Sequence, residues 1–235
     1  MERSVGSAPL VRQEQWIELG PKLPRVSALW VAPERPRAVL TLAHGAGAGM
    51  RHPFMEQIAD RLAARDVATL RYQFPYMERG SNRTDSAPVA TATVRAAVAA
   101  AASLAPDVPR FAGGKSFGAR MSSTAAAQAP LEVRGLVFFG FPLHPAGKPG
   151  VARADHLELV QVPLLFLQGS RDALCDLEHL GLVLKQLGRR ATLHLWDGAD
   201  HSFHVLKRSG RRDEQVLDEL ADAAAGWMVE HSGPA

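Results

Sequence analysis

Short apolar runs alternate along the chain with longer segments whose apolar side chains recur every three or four residues. Nearly continuous apolar runs are typical of strands that are buried on both faces of a sheet. The runs that predict such strands cover residues 38–43, 67–71, 110–114, 135–139, 163–167 and 192–196. Two more short strands, separated by turn residues, are predicted at residues 15–19 and 25–31.

Segments with a helical period separate these strands. Pro53 opens the first helix, at a position where proline is tolerated. The other helices are predicted over residues 88–104, 119–129 and 213–229 and around the leucines at 177, 180, 184 and 187, with an irregular loop over 72–82. Strands that alternate with helices predict parallel βαβ units with right-handed crossovers. The expected class is therefore α/β, with a mostly parallel central sheet and helices on both faces.

The domain organisation follows from length and pattern. The 235 residues are 46% hydrophobic, which is enough for one well-buried domain. Residues 1–12 have no clear period and are expected to form a loose leader, while residues 13–235 are expected to form a single domain. We find no internal repeat and no low-complexity linker.

Composition and charge exclude several classes of function. The net charge of +3 is not concentrated in a block of Lys and Arg, so nucleic-acid binding is not expected. The single cysteine, Cys175, excludes an intrachain disulfide and a cysteine-based metal site. Without a signal peptide or a run of membrane-spanning length, the chain is expected to be cytoplasmic and free of membranes.

The most informative motif lies where the strand at 110–114 meets the following helix. Gly114, Lys115, Ser116, Phe117 and Gly118 fit G-x-S-x-G, the nucleophile elbow of α/β-hydrolases. In this elbow the serine projects from a sharp turn, and only small residues fit two places before and after it, where strand and helix pass closely. The motif predicts a serine nucleophile.

Two other interpretations compete for these residues. Gly-Lys-Ser also ends a P-loop, but Pro109 stands where that motif requires its first glycine, which argues against a nucleotide-binding protein. The alternative without chemistry is a glycine-rich turn, because a lone G-x-S-x-G often arises by chance.

A serine nucleophile needs a base, and the base needs a carboxylate that holds its tautomer. Asp172 and His201 each follow a predicted strand, in the order Ser, Asp, His that this fold uses. The main rivals are His204 for the base and Asp200 for the acid. Asp200 adjoins His201 in sequence, so the two side chains are expected to diverge. Another aspartate, at position 176, is the better candidate for the cap of the next helix.

Backbone N–H groups are expected to bind the oxyanion that forms during acyl transfer. One should belong to Phe117, the residue after the nucleophile, and the other to Ala46 in the glycine-rich loop at residues 44–49. The rival interpretation of this loop as a dinucleotide-binding G-x-G-x-x-G fails because Met50 stands at the last glycine.

Several stretches resemble the dienelactone-hydrolase-like branch of the α/β-hydrolases. They are residues 44–50 (HGAGAGM), 52–55 (HPFM) and 113–120 (GGKSFGAR). Residues 140–149 (GFPLHPAGKP) and 200–203 (DHSF) narrow the resemblance to bacterial relatives of the testis-expressed protein 30 and of the third regulatory subunit of the KAT8 chromatin complex.

This resemblance implies an α/β-hydrolase fold with Ser116, Asp172 and His201 as a catalytic triad. It implies no particular substrate. Dienelactone hydrolases proper use a cysteine nucleophile, so dienelactone activity is not expected here. Because the chromatin-complex relative is better known as a subunit than as an enzyme, a non-catalytic interaction module is the alternative.

The loop after the strand at 135–139 contains His144 and Lys148, which are expected to line the pocket and to favour an acidic or polar acyl group. The alternative is a loop whose prolines simply fix its path. The region between that strand and the next is short, so little or no lid is expected. The function predicted is that of a serine esterase or thioesterase for small-molecule substrates, with no metal or organic cofactor.

Overall fold

The computed structural model describes residues 10–233. Its centre is an eight-stranded sheet with the strand order β1-β2-β4-β3-β5-β6-β7-β8. The strands are β1 (Val11–Ile17), β2 (Val26–Ala32), β3 (Ala38–Ala43), β4 (Val67–Tyr72), β5 (Arg110–Lys115), β6 (Leu136–Phe139), β7 (Leu164–Gly169) and β8 (Ala191–Trp196). Strand β2 is antiparallel to both of its neighbours, and all other neighbouring pairs are parallel. The predicted α/β class with a mostly parallel sheet is confirmed.

Helices cover both faces of this sheet, as predicted. They are α1 (Pro53–Ala63), α2 (Pro75–Glu78), α3 (Ala87–Leu104), α4 (Phe117–Gln128), α5 (Leu177–Leu187) and α6 (Asp213–Glu230). Helices α1 and α6 pack in one hydrophobic cluster, while α3, α4 and α5 pack in two clusters on the opposite face. The sheet therefore has both faces buried, which explains why its central strands read as continuous apolar runs.

Alternate side chains of a central strand pack against helices on opposite faces of the sheet. In β7, Leu165 and Leu167 join the cluster that contains α1 and α6, and Leu164 and Phe166 join the cluster that contains α5. All four side chains are fully buried. This period of two fixes the register of β7, because a slip by one residue would exchange the two faces.

The apolar composition of helix α3 follows from its packing against the sheet. Its 18 residues reach a mean hydropathy of 1.4, enough by length and composition to cross a membrane. However, Ala90, Val94, Ala97 and Ala101 are buried against the sheet. Small side chains along one stripe let this helix approach the strands closely.

The N-terminal strand differs from the prediction. Strand β1 begins at Val11, so Val11 and Arg12 form a strand instead of the end of a loose leader; residues 1–9 lie outside the described residues. Most of β1 is exposed and polar, and its hydrogen bonds to β2 hold it in place. A strand without a buried face shows no alternation of apolar and polar residues in the sequence. This is why the predicted start, at residue 15, lies four residues after the observed one.

Two connections bear on the site. The predicted irregular loop at 72–82 contains the short helix α2, which the sequence analysis missed. Residues 140–163, between β6 and β7, contain a single five-residue 3₁₀ helix (Asp155–Leu159) as their regular structure. The prediction of little or no lid is confirmed.

Candidate active site

The serine of the predicted elbow occupies the turn between β5 and α4. Ser116 has φ 51° and ψ −109°, a conformation that side-chain-bearing residues rarely adopt. The turn is held on both sides, because the Ser116 N–H donates to the Phe139 carbonyl at 3.3 Å and the Arg120 N–H donates to the Ser116 carbonyl at 3.1 Å. The strained residue is thus over-determined by its neighbours, as is common at functional sites.

Glycines allow the elbow to approach β3. A Cβ atom on Gly114 would lie 2.9 Å from the carbonyl carbon of Ala43, and one on Gly118 would lie 2.6 Å from the same atom. Both distances are shorter than side chains tolerate, and the obstacle is backbone. The spacing of glycines in the motif is therefore a packing requirement against one residue of the neighbouring strand.

We expect Gly118→Ala to lower the free energy of unfolding by about 3 kcal/mol, because its methyl group must displace the backbone of Ala43. Gly226→Ala is the matched control: this exposed glycine of α6 has open space around it, so the substitution should stabilise the protein by about 1 kcal/mol. Urea denaturation of both variants measures the difference. Equal stability of the two variants would contradict the packing argument.

The three residues predicted as a triad come together in the structure. His201 Nε2 lies 2.9 Å from Ser116 Oγ, and His201 Nδ1 lies 2.7 Å from Asp172 Oδ2. Since the carboxylate can only accept, Nδ1 carries the proton and Nε2 is free to accept from the serine hydroxyl. The carboxylate is fully buried and the imidazole is 25% exposed, so the chain of hydrogen bonds runs from the interior to the cavity.

Asp172 is held by two other donors. Gln168 Nε2 donates to Asp172 Oδ2 at 2.6 Å, and the Leu174 N–H donates to Asp172 Oδ1 at 2.8 Å. Gln168 Oε1 in turn accepts from the Phe141 N–H. Sequence reasoning missed Gln168, although a signal was present: it is a fully buried polar residue inside an otherwise apolar strand.

The rival residues have other partners. His204 Nδ1 pairs with Asp213 Oδ2 at 2.8 Å on the surface. Asp200 Oδ1 accepts from the backbone N–H groups of Ser202 and His204, so it stabilises the turn that carries His201. Asp176 caps α5 by accepting from the His179 N–H, as predicted.

The glycine-rich loop after β3 lies against the elbow, where a Cβ on Gly45 would be 3.8 Å from the Ser116 Cβ. His44 is fully buried beneath this loop. Its Nε2 accepts from the Phe74 N–H at 3.1 Å, so Nδ1 carries the proton and donates to the Gly45 carbonyl at 2.7 Å. Burial lowers the pKa of His44 to about 4, which keeps the ring neutral and this arrangement fixed at neutral pH.

His44 thereby orients one peptide group of the loop. In a trans peptide, C=O and N–H point in opposite directions, so tying down the Gly45 carbonyl turns the Ala46 N–H away from His44. The next amide, that of Gly47, donates to the Tyr76 hydroxyl at 3.0 Å. Tyr76 belongs to α2, the helix that the sequence analysis missed.

The two predicted oxyanion donors are both free within residues 10–233. The Phe117 N–H belongs to the first residue of α4, where an amide has no partner inside the helix. The Ala46 N–H has no acceptor among the described residues. Two unpaired amides beside a serine can bind a negatively charged oxygen.

A cavity of about 380 Å³ opens beside Ser116 and His201. Much of its wall is apolar, from Ala48, Phe54, Met55 and Leu174, while His52 and Lys115 add polar groups. A hollow of about 440 Å³ lies at the opposite, N-terminal ends of β5 and β6, lined by residues 106–110 and 131–134. That hollow is remote from the serine, so the smaller cavity is the candidate binding site.

The structure does not bring His144 and Lys148, the predicted substrate contacts, to the cavity beside Ser116. His144 is buried, and both ring nitrogens serve the backbone: Nδ1 donates to the Pro145 carbonyl at 2.9 Å, and Nε2 accepts from the Asp176 N–H at 2.9 Å. Lys148 is exposed to solvent. The loop folds back on the start of α5, a long-range contact that its sequence does not reveal.

Cysteine and metal chemistry have no support in the part of the chain that the structure describes. Burial raises the pKa of the Cys175 thiol to about 12, so this side chain packs as an apolar group. Residues 10–233 contain no group of three or more His, Cys, Asp or Glu side chains arranged to hold a metal ion.

The fold is similar to those of several solved hydrolases. A dienelactone hydrolase from Anabaena variabilis superposes with a TM-score of 0.73 at 20% identity, over 93% of this chain and 98% of that one. A serine hydrolase without a lid from Xanthomonas campestris gives a TM-score of 0.70 at 20% identity, over 92% and 94%. The esterase domain of a Rhodothermus marinus protein gives 0.72 at 18% identity, over 95% and 100%.

Sequence comparison finds curated relatives in Mycobacterium tuberculosis. They carry the name "Putative phosphoribosyl transferase" and are 28% identical in an alignment that covers 95% of this chain but 47% of each relative. The chain thus spans about half the length of the curated relatives it matches.

A family model described as "Alpha/beta hydrolase domain" matches residues 36–229, from just before β3 to the end of α6. This match covers the elbow, the loop after β3 and the loops after β7 and β8 that carry Asp172 and His201. The chain therefore belongs to the alpha/beta hydrolase domain family.

Proposed function

We propose that this protein is a serine hydrolase that cleaves small carboxylic esters or thioesters. The observation that carries the proposal is the continuous chain of hydrogen bonds from Ser116 through His201 to Asp172. The esterase and dienelactone hydrolase structures that share its fold support hydrolysis as the general reaction.

Each residue has a role in this reaction. Ser116 Oγ attacks the carbonyl carbon while His201 Nε2 takes the hydroxyl proton, and the amides of Phe117 and Ala46 bind the oxyanion. Collapse of the tetrahedral intermediate breaks the bond to the leaving group, which receives the proton from His201. Water, deprotonated by His201, then attacks the acyl-serine. The bond to Ser116 Oγ breaks, His201 returns the proton to that oxygen, and the acid is released. Asp172 stays ionised and stabilises the imidazolium.

The cavity favours compact substrates. Its volume of about 380 Å³ is at the small end of the range for ligand pockets. The apolar wall suits the hydrocarbon part of an ester, and there is no large lid between β6 and β7 to cover a long chain. We therefore propose small acyl or alcohol groups over long-chain lipids.

Two alternatives have less support. An interaction module without turnover would not need a paired serine, histidine and aspartate, yet all three pair here. The name of the mycobacterial relatives describes proteins about twice as long as this chain, so phosphoribosyl transfer does not have to belong to the half that this chain matches.

We further propose the narrower kinship with the testis-expressed protein 30 type, from the motifs at residues 140–149 and 200–203. A cytoplasmic location is also a proposal, consistent with a single buried cysteine in residues 10–233.

The test is labelling with a fluorophosphonate probe, followed by mass mapping of the modified peptide. We expect one adduct, on Ser116, and hydrolysis of 4-nitrophenyl esters that declines as the acyl chain lengthens. An adduct on another serine would contradict the assigned nucleophile. Absence of both labelling and turnover in the folded protein would favour the interaction module.

A further inference from the structure

Lys115, the residue before the nucleophile, turns its side chain under the turn that carries His201. Its ammonium donates to the main-chain carbonyl of His201. The residue also lines the cavity beside Ser116. A basic side chain in contact with the backbone of the catalytic base has no part in the mechanism above.

The space for this ammonium is built by its neighbours. Its nitrogen lies 5.3 Å from the centre of the Phe203 ring and 5.8 Å from that of Phe54, within the range of cation–π attraction. A Cβ on Gly140 would lie 2.9 Å from the ammonium and 3.5 Å from His201 Nδ1. Gly140, the residue after β6, therefore leaves the space in which the lysine and the histidine lie side by side, and its φ of 69° also favours glycine.

The turn that carries His201 is strained. Phe203, two residues after the histidine, has φ 65°, which is unfavourable for a bulky side chain. Such a conformation persists where surrounding contacts enforce it. The Phe203 ring stacks on Phe54 at 5.9 Å, and the Lys115 ammonium lies over both rings.

We propose that Lys115 is a positioning residue: its ammonium holds the strained turn so that the imidazole of His201 faces Ser116. This inference rests on the proposed hydrolase function. The lysine does not touch the reacting atoms in this role. It acts through the main chain of the base.

The charged groups around Lys115 make its contribution dependent on pH. Burial lowers the pKa of its ammonium to about 8, while Asp172 and Asp200 act in the opposite direction. His201 contacts it through the carbonyl, and His52 lines the same cavity. The ammonium is charged below about pH 8 and loses its proton as the pH rises through that value. Its hydrogen bond to the His201 carbonyl therefore weakens on the alkaline side.

The experiment compares wild type with Lys115→Met, and with Lys185→Met as the matched control on an exposed face of α5. We expect Lys115→Met to lower kcat about 10- to 100-fold with little change in KM, because a misplaced base impairs the chemical step. The loss should be equal for 4-nitrophenyl butyrate and for the anionic mono-4-nitrophenyl glutarate. Lys185→Met should leave both rates unchanged.

The pH profile separates positioning from a purely structural role. Wild-type kcat should fall with an apparent pKa near 8, and this alkaline limb should be absent from Lys115→Met. If the variant does not fold, the wild-type profile decides alone, since a plateau that extends unchanged to about pH 10 would overturn the proposal.

Other results would also overturn it. A Lys115→Met variant with the wild-type rate and pH profile would show that the contact between Lys115 and the turn of His201 is dispensable. A loss confined to the KM of the anionic ester would make Lys115 a substrate anchor instead. Wild-type protein that neither hydrolyses esters nor reacts with the fluorophosphonate would count against the proposed function itself, which is a separate failure.

Discussion

Ser116→Ala is expected to lower kcat/KM for a 4-nitrophenyl ester by about 10⁵-fold, because the substitution removes the hydroxyl that His201 activates for attack. His201 Nε2 lies 2.9 Å from the hydroxyl that the substitution removes. No other side chain in the lining of the cavity pairs with His201 Nε2. Steady-state kinetics and loss of fluorophosphonate labelling measure the effect. Labelling that survives would mean that another serine is the nucleophile.

A second substitution at this position shows whether activity and stability oppose each other. Because Ser116 has φ 51°, Ser116→Gly should relieve backbone strain and raise the free energy of unfolding by about 1–2 kcal/mol, while activity is lost as in Ser116→Ala. Thermal denaturation of the two variants tests this. If Ser116→Gly is no more stable than Ser116→Ala, the turn is not strained in the way that its dihedral angles indicate.

Local chemistry made the elbow and the triad predictable from the sequence. Glycines at 114 and 118 mark a close approach of strand and helix, and Asp172 and His201 each follow a short apolar run that forms a strand. The first of these strands, β7, is buried, whereas β8 lies at the edge of the sheet and is largely exposed, which its apolar run did not indicate. Parallel strands then bring these residues to one edge of the sheet. The order of elements along the chain was therefore enough to place three distant side chains together.

What was missed depended on contacts between distant loops. His144 was expected in the pocket, but its ring nitrogens bind Pro145 and Asp176, 32 residues away in the second case. Strand β1 owes its existence to pairing with β2, not to a buried face. The direction of the Lys115 side chain likewise depends on the space that Gly140 leaves, which no local pattern encodes.

The hydrogen bonds around the triad form a series in which each group is oriented by another. Gln168 and the Leu174 amide fix the buried carboxylate, the carboxylate fixes the imidazole, and the imidazole faces the serine. On the other side, His44 fixes the loop that supplies an oxyanion donor. Each group is held by a neighbour that is more deeply buried, so that little reorganisation is needed when charge develops.

This construction predicts a severe effect for Asp172→Asn. The Leu174 N–H donates to Oδ1, so an asparagine must keep its carbonyl oxygen there and place its NH₂ group where Oδ2 stood. That NH₂ group would face His201 Nδ1 and Gln168 Nε2, both of which now donate to the carboxylate. His201 can then pair with the substituted side chain only as the tautomer with its proton on Nε2, which cannot accept from Ser116.

We expect kcat to fall by about 10⁴-fold, as the loss of the correct tautomer typically costs in triads of this kind. Asp213→Asn is the matched control: the pair of His204 and Asp213 has a similar distance of 2.8 Å but lies on the surface. Its activity should stay within about twofold of wild type, because surface pairs contribute little. Nitrogen-15 NMR of the imidazole would identify the tautomer directly. Retention of more than about a tenth of wild-type kcat by Asp172→Asn would mean that another group orients His201.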